Sequence, residues 1–171
     1  MMFSTFAKGE VITNNLVIIP NVSGWYRCWF PEVIAKTILS QFKTNGNYNG
    51  KLLQKTINGG NYICLYIGSS SALKDRIVGD HLQGCARIST LRKSVWACLL
   101  PNATNAEMEY IVTKILENCY WEWEYSDGSF EQSELSQTNH CYPLNVQGNK
   151  TMPHEWIEEL KKMRDALEIK C

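Results

Sequence analysis

Residues 61–82 read NYICLYIGSSSALKDRIVGDHL. Positions 62–67 form a continuous apolar run with β-branched and aromatic members, which suits a central strand. Gly68 ends the run and three serines follow. Leu73, Ile77 and Val78 then recur at helical spacing, with Lys74, Arg76 and His81 among them, which predicts a helix over 72–82. A strand that ends in Gly68-Ser69-Ser70 and opens a helix presents free backbone N–H groups, an arrangement that attracts anions. Ser69, Ser70 and Ser71 carry hydroxyls suited to capping the helix or meeting a phosphate oxygen. Arg76, about one turn in, has the fork geometry for two phosphate oxygens. The same residues also describe an ordinary helix cap with a solvated arginine, and this stretch alone leaves both readings open.

Working outward, 25–30 (WYRCWF) and 16–19 (LVII) read as strands. Pro31 and Glu32 open a helix whose stripe is Ile34, Ile38 and Phe42. A short amphipathic piece at 51–57 follows. STLRKSVWACLL is a further helix, and Asn105 is placed to cap another with Met108, Ile111, Val112 and Ile115 inward. YWEWEYS alternates, Trp121, Trp123 and Tyr125 to one face and Glu122 and Glu124 to the other, as a half-buried strand does. Asp127-Gly128 is a turn, and Ser129 caps a short helix with Glu131, Glu134 and Leu135. From Pro153, the spacing of Trp156, Leu160, Met163 and Leu167 predicts a closing core helix over 153–171. The sum is one α+β domain spanning 1–171, a small mixed or antiparallel sheet of about three core strands flanked by helices.

Seventeen Lys+Arg balance seventeen Asp+Glu, so bulk charge favours neither nucleic acid nor membrane. The balance hides a basic stretch (Lys74, Arg76, Arg87, Arg92, Lys93) and an acidic one over 107–134. Lys8 and Glu10 interrupt the N-terminal segment, and LVII is far too short to span a bilayer, so the expectation is a cytoplasmic protein without membrane contact. The seven cysteines lack a C-x-x-C pair and read as reduced thiols, several in the core. His140, Cys141 and His154 match no standard zinc spacing.

Gly24-Trp25-Tyr26 and Tyr66-Ile67-Gly68 resemble the paired signature of the GIY-YIG nuclease superfamily. YIGSSSALKDR is similar to that family's second strand, its G-x-[ST] turn, and a helix whose arginine lies eight residues after the glycine, here Gly68 to Arg76. YPLNVQGN resembles the proline-to-asparagine close of the family domain, with Asn145 in the asparagine's place. ISTLRKSV and PLNVQGN are similar to an uncharacterised bacterial branch.

The resemblance implies a metal-dependent DNA endonuclease that hydrolyses phosphodiester bonds. It assigns Tyr26 as the base toward water with Tyr66 as its partner, and Arg76 as the cation at the pentavalent phosphorus. One glutamate holds one divalent metal, Mg2+ or Mn2+. Such hydrolysis needs a base, a cation at the developing charge and help for the leaving oxygen, and a phenol near pKa ~10 needs a neighbouring cation to serve as base. His81 is implied less directly. The family places a histidine or tyrosine four residues after the arginine, whereas here Asp80 holds that spot and His81 comes fifth, off the arginine's face in an α-helix. A local bulge at Gly79 would restore it. Of three glutamates, Glu131 best fits the family order, four before Leu135 and fourteen before Asn145; Glu134 stands second and Glu109 third. Ser70, Lys74, Arg92 and Asn145 are the expected phosphate or DNA contacts.

One departure is the spacing of the triplets. Forty positions separate Tyr26 from Tyr66, so 31–60 reads as an insertion in a connection that is normally a tight hairpin. Long insertions add little closure entropy, so the strands are still able to pair. One cleft cuts one strand, so cutting both strands of a duplex requires a homodimer or a second encounter. Two other readings stay open: a nucleic-acid-binding module that has lost activity, and a small-molecule phosphate binder using the Gly68–Ser71 turn alone.

Overall fold

A computed structural model of the chain describes residues 5–44, 46–99, 101–127, 129–137 and 139–169. Its centre is a five-stranded antiparallel sheet in the order β1-β6-β2-β5-β4, formed by β1 (Thr5–Lys8), β6 (Tyr120–Tyr125), β2 (Gly24–Pro31), β5 (Gly60–Ser70) and β4 (Gln54–Ile57). A parallel pair, β3 (Lys51–Leu52) with β7 (His140–Cys141), lies apart from it. The three expected core strands are thus the middle of a wider sheet. β2 and β5 pair directly despite the residues between them, which supply α2 (Glu32–Leu39), β3 and β4.

Three sequence expectations change. Residues 16–19 form no strand: Leu16 and Ile18 are exposed, Ile19 is buried and Val17 packs half-buried against the core, because β1 occupies the sheet edge beside β6. The piece at 51–57 is extended, and it supplies β3 and β4. α4 (Asn105–Asn118) is capped by Thr104, whose hydroxyl accepts from Glu107 N–H while the Glu107 carboxylate accepts from Thr104 N–H. The Asp127-Gly128 turn lies partly outside the described residues, at Gly128.

α1 (Gly9–Thr13), α3 (Thr90–Leu99) and α6 (His154–Asp165) complete the helical shell, with α3 against α6. Trp156 of α6 is fully buried and stacks on Phe42 with centroids 3.7 Å apart. Burial of a side chain of that size contributes about 3 kcal/mol, enough to seat the helix. On β6 the alternation holds for Trp121 and Trp123, both buried, but Glu122 is buried as well. It accepts from Trp29 Nε1 at 3.0 Å and lies 3.8 Å from Arg27. The second face of the sheet is therefore covered too, partly by α5 (Ser129–Ser136), whose Phe130 stacks on Trp25 at 4.5 Å. Five cysteines (28, 64, 98, 119 and 141) are free and buried, as expected; Cys85 is disulfide-bonded, which departs from the expectation.

Candidate active site

The register of β2 and β5 builds the first wall. Tyr26 stands opposite Gly68, and Cys28 opposite Tyr66, so both tyrosines share one face. Tyr26 is fully buried, and its ring lies where a side chain at Gly68 would begin: a Cβ there would sit 2.3 Å from the Tyr26 Cζ and hydroxyl oxygen. This close approach is what Gly68 permits. The Tyr66 ring is 6.2 Å from that of Tyr26, and its hydroxyl meets Thr90 Oγ1 at 3.1 Å.

The helix after β5 is a π-helix, Asp75–Leu82. Its i→i+5 bonding continues to Gln83 N–H, which donates to the Val78 carbonyl. Five residues therefore return a side chain to the same face, and His81 joins Arg76 there. Arg76 Nε–H donates to the Tyr26 hydroxyl at 3.3 Å, and His81 Nε2 lies 2.7 Å from the same oxygen. The bulge expected at Gly79 thus extends over the whole helix. Asp80, in the family's histidine position, instead pairs with Arg76 Nη1 at 2.8 Å. His81 Nδ1 meets Ser89 Oγ at 2.6 Å.

Burial sets the protonation of this group. It raises the Tyr26 phenol well above its ordinary pKa, reinforced by Tyr66 and opposed by Arg76. It lowers His81 well below the usual imidazole value, and the Arg76 and Arg92 charges add to the effect. Burial also works against the Arg76 charge, yet the Tyr26 hydroxyl and Asp80 lift its pKa above the ordinary guanidinium value. At neutral pH the cluster is a neutral phenol, a neutral imidazole and a permanent cation.

The second wall comes from the opposite face. Ser69 alternates away from Gly68 toward α5, and its hydroxyl donates to Glu131 Oε2 at 2.5 Å. The three candidate glutamates separate cleanly. Glu109 accepts from Arg92 at 2.6 Å and from Ala86 N–H at 2.8 Å. Glu134 Oε2 accepts from Arg27 at 2.9 Å and from Tyr142 OH at 2.5 Å, and meets His140 Nδ1 at 3.1 Å. Glu131 alone among them lines the cleft, a cavity of about 390 Å³ that also takes in Tyr26, Tyr66, Arg76 and Asn145.

The expected substrate contacts fare differently. Arg92 is buried, with donors committed to Glu109, Thr113 and the His81 carbonyl, so it is out of reach of a phosphate and instead braces the end of the π-helix. Lys74 is exposed and outside the cleft lining. Ser70 Oγ closes its own turn by accepting from Ala72 N–H at 3.0 Å. Ser69 is given to Glu131, and Ser71 stands exposed at the end of the turn. Asn145 lines the cleft, but its amide accepts from Ile67 N–H at 3.0 Å and donates to the Ile67 carbonyl at 2.8 Å. It thus pairs the free edge of β5 as a neighbouring strand would, which requires a donor and an acceptor on one short side chain. Sequence reasoning missed Thr90, Gln147 and Arg164, which also line the cleft. Arg164 alone carried a signal: it falls four residues after Leu160 on the stripe of α6.

Among the described residues, no three His, Cys, Asp or Glu side chains gather as a metal cage. A lone carboxylate in a roomy polar cleft fits a different kind of metal site. There a hard cation keeps several waters and takes its other ligands from substrate phosphate, as Mg2+ commonly does. No helix among the described residues is long and apolar enough to cross a membrane.

Comparison with known proteins gives one match. Residues 24–166 fit the family model of the GIY-YIG catalytic domain. No curated protein and no solved structure matches the chain. The matched segment opens on Gly24, where the first motif strand begins, and runs past the end of α6, taking in both walls of the cleft. Because it covers most of the molecule, the chain belongs to the GIY-YIG nuclease family.

Proposed function

We propose that the protein is a metal-dependent DNA endonuclease that hydrolyses one phosphodiester bond per cleft. The observation that carries this reading is the convergence of Tyr26, Arg76 and Glu131 on a single cavity within a GIY-YIG domain, with His81 bonded to Tyr26 from behind. Arg76 keeps guanidinium donors beyond those given to Tyr26 and Asp80, and these meet the charge that develops on the equatorial phosphate oxygens.

Tyr26 receives the proton of the attacking water. Because burial keeps its phenol protonated, that transfer is coupled to a second one. Tyr26 passes its own proton to His81 Nε2, whose lone pair is free when Nδ1–H donates to Ser89 Oγ. The water loses one proton, the phenol ends unchanged, and the imidazole gains one. Substrate phosphate at Arg76 offsets the positive field that depresses His81 and so favours the transfer. Glu131 would hold a divalent metal, Mg2+ or Mn2+, which when bound supplies Lewis-acid stabilisation of the phosphate and leaving oxygen. Ser69 orients that carboxylate.

The reading as a binding module without catalysis has two grounds, the displaced His81 and the insertion at 31–60; the π-helix answers the first by returning His81 to the arginine's face, and the nicking assay decides between the two readings. The test is nicking of supercoiled plasmid with Mg2+. Wild type nicks; Arg76→Ala and Glu131→Ala each lose at least about a hundredfold in rate. Nicking that survives both substitutions would remove the mechanism.

A further inference from the structure

Arg164 reaches the cleft from the last turn of α6. The buried face of this helix runs through Trp156, Ile157 and Leu160, and one turn further, beside the apolar Met163, the same side of the helix carries a guanidinium. Arg164 lines the same cavity as Tyr26, Arg76 and Glu131 and is partly buried. Arg92, Arg27 and Arg76 each have a carboxylate within 3 Å. Arg164 has none within ion-pair distance and donates no side-chain hydrogen bond among the described residues. Withdrawing a cation from water without a partner is unfavourable. Desolvation accordingly lowers the Arg164 pKa from the ordinary guanidinium value. A favourable interaction with the end of the helix dipole accounts for a cation in the last turn, but not for its facing a cavity that already holds one guanidinium.

The cavity is large enough for more than the scissile group. About 390 Å³ is room for roughly a dozen waters. Arg76 is held in place by Tyr26 and Asp80 at the reacting centre, whereas the donors of Arg164 meet no acceptor among the described residues. A planar fork with no ion-pair or side-chain hydrogen-bond partner among the described residues, in a cleft that also holds Arg76, matches a second phosphate. We propose that Arg164 clamps a phosphate of the bound strand other than the one being cut, and so sets the register of the nucleic acid in the cleft. The proposal rests on the nuclease reading above. It makes Arg164 a binding residue, whose loss acts on ground state and transition state alike and so raises KM while leaving kcat.

The test is binding of the full chain to a fluorescein-labelled DNA duplex in EDTA, by anisotropy, from about 50 to about 200 mM NaCl. One phosphate contact contributes about 0.9 to the slope of log K against log salt. Arg164→Ala is therefore expected to lower the slope by about 0.9, and to weaken binding about tenfold at the low-salt end. Arg164→Gln, which keeps the stem of the side chain, is expected to match it, and Arg164→Lys to retain the slope. Lys161→Ala, an exposed cation on the same helix, is the control and should leave the slope within error.

A wild-type slope in Arg164→Gln with native circular dichroism would overturn the proposal. So would an equal change in Lys161→Ala, which would mark the effect as general surface charge, or the absence of any DNA binding by wild type. Failure of the nuclease reading looks different. There the slope shift appears as expected, but wild type gives no cleavage product with Mg2+ or Mn2+.

Discussion

Replacing Gly68 by alanine tests the packing on which the candidate base depends. The added Cβ would lie 2.3 Å from both Cζ and the hydroxyl oxygen of Tyr26, and 2.8 Å from Cε1. Tyr26 has no room to retreat, since its ring is enclosed by His81 at 5.4 Å and by Tyr66 and Trp121 at 6.2 Å. Gly68 is not among the positive-φ glycines, so alanine brings no backbone strain and would otherwise be mildly stabilising in a strand. The cost is steric. Overpacking accounts for about 1–3 kcal/mol, and the Tyr26 bonds to His81 and Arg76 add about 1 kcal/mol each. The sum, about 3–5 kcal/mol, leaves a domain of ordinary stability folded. A shift of about 1 Å in the phenolic oxygen should cost about a hundredfold in nicking rate.

The assay for stability is urea unfolding of Gly68→Ala, Tyr26→Ala and the double variant. Tyr26→Ala opens a cavity beside residue 68, and in that background the new methyl group fills space that it otherwise contests. The double variant should therefore be about as stable as Tyr26→Ala alone, a coupling equal to the Gly68→Ala cost of about 3–5 kcal/mol. Additivity within about 0.5 kcal/mol would refute the assignment of the clash to Tyr26.

Two further outcomes follow from the same geometry. Asn145→Ala leaves the N–H and carbonyl of Ile67 buried without partners and should destabilise by about 2–5 kcal/mol; Asn145→Asp, which faces that carbonyl with a carboxylate, should cost at least as much at neutral pH and less once protonated, as the urea midpoints will show. His81 is held neutral in the folded protein, with its pKa depressed below the unfolded value near 6.5. Its contribution to stability is therefore complete above that pH and is lost as pH falls toward the folded pKa. The stability advantage of wild type over His81→Gln should shrink by about 1.4 kcal/mol per pH unit below about 6.5, or about 2 kcal/mol at about pH 5; a constant difference would mean that the folded imidazole protonates freely.

The legible parts of this fold are those where one local pattern has one physical meaning. The apolar run in β5, the alternating tryptophans of β6 and the apolar stripe of α6 each bury one continuous face and form the expected type of element, although α6 ends at Asp165, short of Leu167 and of the expected span over 153–171. LVII at 16–19 fails because an apolar run needs a partner, and the sheet edge it would join is taken by β1, whose four residues are too short to announce themselves. Glu122 was assigned to solvent by alternation. That rule identifies the two faces of a strand but not what covers the second, and here Arg27 and Trp29 claim the carboxylate. The capping box at Thr104 is legible in T-N-A-E, although Asn105 beside it is the more obvious cap residue. Arg92 looked like a surface cation because its partners, Glu109, Thr113 and the His81 carbonyl, lie on other elements.

The candidate site shows the same limit at one residue. Spacing arguments convert sequence distance into direction by assuming a helical period. At the α-helical period His81 points away from Arg76, and the motif appears broken. At the π period it points to the same oxygen, 2.7 Å away. Nothing local selects the wider helix: Asp75–Leu82 has ordinary propensities, and Gly79 needs no special backbone angle. The selection comes from what the helix end must satisfy. Ser89 fixes the His81 ring and Arg92 accepts the task of bonding its carbonyl, and both lie on the following segment and helix. A wider turn exposes backbone and packs less well than an α-helix, so it persists only where such contacts compensate for it. The functional register of His81 is thus decided by a buried arginine that never meets substrate. Reading the motif therefore required the tertiary partners of its helix as well as its letters.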